Sequence, residues 1–218
     1  MTLWSKGSRS VELDWYFDFI SPYAYLQFEQ FERLRSSADI RLRPVVLGAL
    51  LSHWQTRGPA EIPGKRRWTY RHVQFRAEQL GIPFKMPPAH PFNPVRVLRL
   101  AILLQCNEEV VQEIFRFIWR DGQSVDSTDG WSTLCERLGA RPTEEELTRV
   151  DVKDALRFNT QQAISLEIFG VPTFVLGREI FWGEDSLPLL QHCFAHPGWL
   201  KSDAIRRIDA LPIGVRRS

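Results

Sequence analysis

Val11 to Ile20 alternates without a break. Val11, Leu13, Trp15, Phe17 and Phe19 fall on one face of an extended chain, and Glu12, Asp14, Tyr16 and Asp18 on the other. That is the period of a strand. Ser21-Pro22 follows at once. Serine is a preferred helix N-cap, and proline suits the first helical position, where its missing N–H would have no partner. A helix is predicted from there to about Arg35. "IRLRPVV", residues 40–46, reads as a second strand. The chain therefore opens as β-α-β, and everything downstream has to pack on that unit.

From Gly48 to about Thr160 the pattern is helical. Gly58-Pro59 and Ile62-Pro63-Gly64 mark a loop. Tyr70, Val73, Ala77 and Leu80 form one apolar stripe, which Gly81 terminates. "KMPPAHPFNP" is a second proline-rich loop, and Asn93-Pro94 caps a helix over Val95–Gln105. Further helices are expected near Glu108–Trp119, Asp129–Leu138, Glu144–Val150 and Val152–Ile168. The third of these has a capping box from Thr143 to Glu146. The chain then returns to strands at Thr173–Leu176 and Glu179–Trp182. They are joined by Gly177-Arg178, a pair that suits a type II′ hairpin turn. Gly183-Glu184-Asp185 caps a last helix, Ser186 to about Cys193, and the basic tail is expected to be irregular.

The order β-α-β, helical block, α-β-β-α is that of an α/β thioredoxin-like fold with an all-helical insertion. Residues 11–46 and 159–195 would form the thioredoxin-like part, 47–158 the insertion and 196–218 the tail. At 218 residues the length allows one large domain of this kind. A redox protein of this layout would carry Cys-x-x-Cys at the first strand-to-helix turn. Here residues 21–24 read Ser-Pro-Tyr-Ala, so dithiol exchange is excluded there.

Three places can carry chemistry. Ser21 would present its hydroxyl at a helix start, where negative charge is favoured. A ligand thiol, of ordinary pKa about 8.5, would ionise more readily there. Ser21 would hydrogen-bond that thiolate and would not itself be the nucleophile; an N-cap serine without further role is the plainer alternative. Val171-Pro172 stands directly before a buried strand. If that bond is cis, the Val171 backbone would face the Ser21 turn and pair with an extended ligand. Finally, N–H groups at Glu184, Asp185 and Ser186 could hold a carboxylate, and the Asp185 side chain an ammonium. Those are the two charged groups of a γ-glutamyl end, so the missing protein thiol would be supplied by glutathione.

"FDFISPYAYL", "RGPAEIPGKRRWTYRHV", "LGIPFKMPPAHPFNP" and "FGVPTFVLGREIFWGEDSL", in that order over residues 11–195, resemble the 2-hydroxychromene-2-carboxylate isomerase family. That family is related to DsbA-type thioredoxin folds and to kappa-class glutathione transferases. The resemblance implies that Ser21 contacts the glutathione sulfur, Val171 the cysteinyl backbone, and Glu184 and Asp185 the γ-glutamyl end, with Lys65 near the site. It also implies a homodimer. The sequence departs from the family pattern at Arg57, Gln74 and Glu184. The expected reaction is a glutathione-dependent cis–trans isomerisation of an unsaturated aromatic α-keto acid. Tyr23, Asn93 and Arg66 are candidates for holding that substrate, and a cation such as Lys65 or an arginine for stabilising the developing enolate. A kappa-type glutathione transferase or peroxidase, and a non-catalytic DsbA-like peptide binder, are the alternatives.

A net charge of +2 argues against a nucleic-acid partner. No apolar run reaches the roughly 18 residues of a membrane span. "MTLWSKGSRS" has no signal-peptide core, and the expected compartment is the cytosol. Cys106, Cys135 and Cys193 are too scattered for a disulfide framework or a metal site, and each is expected to be a small buried hydrophobe. The five histidines show no ligand spacing.

Overall fold

The computed structural model describes residues 10–215. The absence of a signal-peptide core and the end of the basic tail concern residues partly outside that range. Strand β1, Val11–Phe17, lies at the centre of a four-stranded sheet of order β2-β1-β3-β4. It pairs in parallel with β2, Ala38–Pro44, and antiparallel with β3, Thr173–Leu176; β3 pairs with β4, Glu179–Trp182. The β3–β4 turn has φ +66° at Gly177 and no positive φ at Arg178, the signs of the expected turn.

This topology decides where function can sit. β1 ends at Phe17, β3 begins at Thr173, and Thr173 pairs with Tyr16 on one side and Trp182 on the other. Ser21, Val171-Pro172 and Gly183 therefore leave the sheet at the same end, although 150 residues separate the first from the second in sequence.

Helix α1, Pro22–Phe28, is shorter than predicted and gives way to a 3-10 turn at Phe31–Arg33. The cause is Gln30. Its backbone N–H turns to Gln27 O at 3.0 Å, and its side-chain amide takes over Leu26 O at 3.0 Å. Helices α2, Leu47–His53, and α3, Pro63–Leu80, follow, so Pro63 opens a helix within the predicted loop. Gly81 ends α3 in the left-handed region, as expected. Helix α4, Val95–Leu103, stops early because Gln105 and Cys106 both take positive φ. Cys106 is thereby half-buried in a turn, whereas Cys135 and Cys193 are buried. Helix α5, Glu108–Phe115, continues into a π-helical turn over Arg116–Arg120. Helices α6, Thr128–Arg137, α7, Glu144–Leu147, and α8, Val150–Ser165, complete the block. After β4 come α9, Leu187–Ala195, and α10, Asp203–Asp209, the latter in the segment expected to be irregular. Ser202 caps α10 by accepting from Ile205 N–H.

One aromatic core joins the sheet to the helical block. Trp15, Phe17 and Phe19 of β1 and its extension pack on Phe115 of α5, with ring centroids 4.8 to 6.1 Å apart. The opposite face of β1 is solvated only at its start, where Glu12 is exposed and Asp14 half-buried, and not along its length as simple alternation would suggest. Tyr16 is buried with Val45, Leu50, Ala163 and Ile168, because α2 and α8 cover that side.

Candidate functional site

Ser21 caps α1. Its hydroxyl accepts from Ala24 N–H at 3.3 Å, its own N–H donates to Asp18 O, and it is buried. The N–H of Tyr23 has no acceptor among the described residues. Asp18 sits beneath this turn, fully buried. Its two oxygens accept from Ile20 N–H at 3.1 Å and Leu47 N–H at 2.9 Å, tying the end of β1 to the start of α2. Burial outweighs those two hydrogen bonds and pushes its carboxyl up to about 7.

Val171-Pro172 is cis. Extending the β1–β3 register places Val171 beside Asp18. Pro172 O accepts from Gly183 N–H at 2.9 Å, but the N–H and C=O of buried Val171 make no hydrogen bond among the described residues. An unpaired backbone pair at a buried position has to be satisfied by something outside the chain. Gly170 allows the close approach of Trp182, whose indole nitrogen would lie 2.7 Å from a Cβ there.

The third segment is the turn after β4. Gly183 has φ +94°, and a Cβ would lie 2.6 Å from Asp185 Oδ1, so only glycine fits. Its carbonyl accepts from Gln27 Nε2 at 2.7 Å and from the Ser186 hydroxyl at 2.7 Å. Gln27 is buried and also accepts from the Trp15 indole at 2.6 Å. The N–H groups of Glu184 and Asp185 have no acceptors among the described residues. Asp185 is exposed and makes no ion pair among the described residues.

Helix α3 walls the site. The Tyr23 hydroxyl and His72 Nδ1 are 2.7 Å apart, and His72 stacks on Trp68. Burial, aided by the nearby Glu184 and Asp185 carboxylates, pushes the Tyr23 phenol up to about 12. One turn further on, Arg76 forms a two-pronged ion pair with Glu184, at 2.9 and 3.0 Å. The proline-rich loop reaches the site through His90, whose Nε2 meets Ile20 O at 2.9 Å and whose Nδ1 meets the Tyr70 hydroxyl at 2.7 Å. Desolvation lowers the pKa of His90, so Nε2 carries the proton and Nδ1 accepts. Arg66 donates to Tyr70 and to His90 O. Arg66, Arg67 and Tyr70 line a cavity of about 330 Å³ with Ala60, Glu61 and Pro63.

Of the residues singled out in the sequence, Ser21, Tyr23, Val171, Pro172, Glu184 and Asp185 come together at this end of the sheet. Ser186 does not offer the contact expected of it. Its N–H donates to Gly183 O, and its hydroxyl to Gly183 O and Phe181 O. Asn93 is exposed and accepts from Val95 N–H, a local cap. Lys65 is exposed in the first turn of α3 and makes no ion pair among the described residues. Arg57 and Gln74 bond within their own segments, to Glu61 and Glu78. Gln27, His72, Arg76 and His90 were not legible as site residues. Their partners lie 49 to 156 residues away in sequence, and no local pattern signals such pairs.

The family model for a DSBA-like thioredoxin domain matches residues 12–195. The chain belongs to that family. Among DSBA-like relatives, glutathione S-transferase kappa 2 of Caenorhabditis elegans is 28% identical over 204 residues, covering 84% of this chain and 91% of its own. A 2-hydroxychromene-2-carboxylate isomerase of Pseudomonas putida is 26% identical over 186 residues, covering 82% and 92%. A solved 2-hydroxychromene-2-carboxylate isomerase superposes with a TM-score of 0.74 at 23% identity, over 93% of this chain and all of that one. This DSBA-like chain is thus related to enzymes along nearly its whole length and has the same fold. No helix among its described residues is long and apolar enough to cross a membrane.

Proposed function

We propose that this protein is a glutathione-dependent cis–trans isomerase of an unsaturated aromatic α-keto acid, similar to 2-hydroxychromene-2-carboxylate isomerase. The observation that carries the reading is the unpaired backbone of Val171, at the same end of the sheet as the Ser21 hydroxyl and the Glu184–Asp185 turn. These groups fit glutathione in extended form. Val171 N–H and C=O would pair with the cysteinyl backbone, as a β-strand pairs. The free N–H groups of Glu184 and Asp185 would take the γ-glutamyl carboxylate, and the Asp185 side chain the ammonium. The Ser21 hydroxyl and the free Tyr23 N–H would receive the sulfur.

Bound glutathione would supply a thiolate that adds reversibly to the conjugated carbon, so that a double bond becomes single, rotates, and is restored on elimination. The chain's own groups hold charge and geometry. Ser21 donates its hydroxyl proton in a hydrogen bond to the sulfur and keeps it ionised. Tyr23 stays protonated at neutral pH and can donate to the oxygen that gains charge. Lys65, Arg66 and Arg67, in the first turn of α3, supply positive charge for a carboxylate substrate. His72, whose Nδ1 lies 2.7 Å from the Tyr23 hydroxyl, orients that group.

The test is product analysis with 2-hydroxychromene-2-carboxylate, with and without glutathione. Interconversion that needs catalytic glutathione and leaves no adduct is expected. A stable glutathione conjugate would instead favour a kappa-type transferase, the reading that the 28% identity to the Caenorhabditis elegans protein supports.

A further inference from the structure

Glu184 is an awkward residue for a turn that is to hold a carboxylate. It is only 4% exposed, so its charge cannot be dispersed by water. Three donors meet it: Arg76 Nε at 3.0 Å, Arg76 Nη2 at 2.9 Å and Gln30 Nε2 at 3.0 Å. The Arg76 pair is bidentate, the geometry that best matches guanidinium to carboxylate. The third guanidinium nitrogen of Arg76, Nη1, donates to Gln79 Oε1 at 3.0 Å. Three of the five N–H groups of Arg76 are thus engaged, two of them on Glu184. The charge of Arg76 is spent on Glu184.

We infer that Arg76 is a positioning residue that makes the Gly183–Ser186 turn a receptor for a zwitterionic amino-carboxylate end. It does so by cancelling Glu184 and clamping α3 onto the turn. With the Glu184 charge cancelled, the turn presents two outward N–H groups for a carboxylate and one unpaired carboxylate, Asp185, for an ammonium. Without Arg76, a second negative charge would stand on the residue that carries one of those N–H groups and next to the other, and a like charge so close opposes an anion strongly. The inference rests on the glutathione reading and assigns the turn's selectivity: thiols ending in a γ-glutamyl group bind, and thiols without that end gain nothing from Arg76.

The experiment is calorimetric titration at pH 7 of two probes, glutathione and cysteinylglycine, into wild type, Arg76→Met and Arg76→Met/Glu184→Gln. Arg76→Met should weaken glutathione binding by about tenfold or more. The double variant, which removes both charges, should recover most of that loss. Cysteinylglycine affinity should be the same in all three proteins. Unchanged glutathione affinity in Arg76→Met overturns the inference. So does a double variant as weak as Arg76→Met, because lost packing rather than charge would then explain the defect. Equal losses for both probes overturn it as well. If Arg76→Met does not fold, the double variant decides: it must bind glutathione nearly as wild type does. Wild type that binds no glutathione defeats the functional reading itself, and that failure is visible before any variant is made.

Discussion

Asp18 shows how much a single residue can hold at this site. The alternation of "VELDWYFDF" places it on the polar face, and the structure buries it completely. Two backbone N–H groups, from Ile20 and Leu47, replace its water. An unfolded aspartate titrates at about 3.9, whereas Asp18 in the fold is pushed up to about 7. Between those values the folded chain keeps a proton that the unfolded chain has lost, so this group's contribution to stability falls as pH rises. The slope is about 1.4 kcal/mol per pH unit, and it flattens above the folded value. Urea denaturation of wild type and Asp18→Asn from pH 4 to 8 checks this. The wild-type stability minus that of the variant should decline through the window; a constant difference would show that Asp18 is ionised in the fold throughout. Ser21 was legible because a Ser-Pro pair after an alternating strand has a local mechanism. Asp18 was not, because its carboxylate is met by Leu47 at the start of α2, 29 residues along the chain.

At the scale of elements, the site is assembled by side chains that join one segment to another. Gln27 links α1 to the Trp15 indole of β1 and to the Gly183 carbonyl after β4. Gln27→Leu keeps the size but leaves the buried Trp15 indole N–H unmet, worth about 1–3 kcal/mol, whereas the Gly183 carbonyl keeps its Ser186 donors. Thermal melts should show a destabilisation of about 1–3 kcal/mol, and glutathione affinity should fall because the turn loses one of its braces. A melt within about 0.5 kcal/mol of wild type would mean that the bridge contributes little. The bounds of β3 and β4, their hairpin, the α3 stripe and the capping box at Thr143 were readable from local pattern, whereas β1 ends at Phe17, short of Ile20, and β2 runs over Ala38–Pro44 where 40–46 was expected. The misplaced helix ends have two causes. At Gln30 a side-chain amide competes with the backbone for Leu26 O, and at Gln105 and Cys106 non-glycine residues adopt positive φ. Propensity registers neither. The capping helix α10 was missed because one serine in a basic tail is a weak start signal.

The whole molecule has thioredoxin-like strands and a helical insertion, but the buried side chains do not divide at residue 47 or 158. Phe115 of the insertion packs on Trp15, Phe17 and Phe19, and the Trp119 indole donates to Phe19 O at 2.9 Å. Phe115→Ala should cost about 3–5 kcal/mol and leave a single unfolding transition by calorimetry. Two separated transitions would show that the insertion is an independent unit. The order of elements made the fold legible, since β-α-β, helices, then β-β admits few arrangements. The α3 wall stayed hidden because its contacts to Tyr23 and Glu184 are set by how the insertion folds back. The central claim is that a bound thiol takes the place of the absent Cys-x-x-Cys. The most direct test is titration of glutathione into wild type and Ser21→Ala, read by calorimetry and by thiolate absorbance in the ultraviolet. The account predicts saturable binding to wild type, with a thiolate signal at neutral pH that is lost or shifted to higher pH in Ser21→Ala. No binding at millimolar glutathione, or an equal thiolate signal in both proteins, would contradict it.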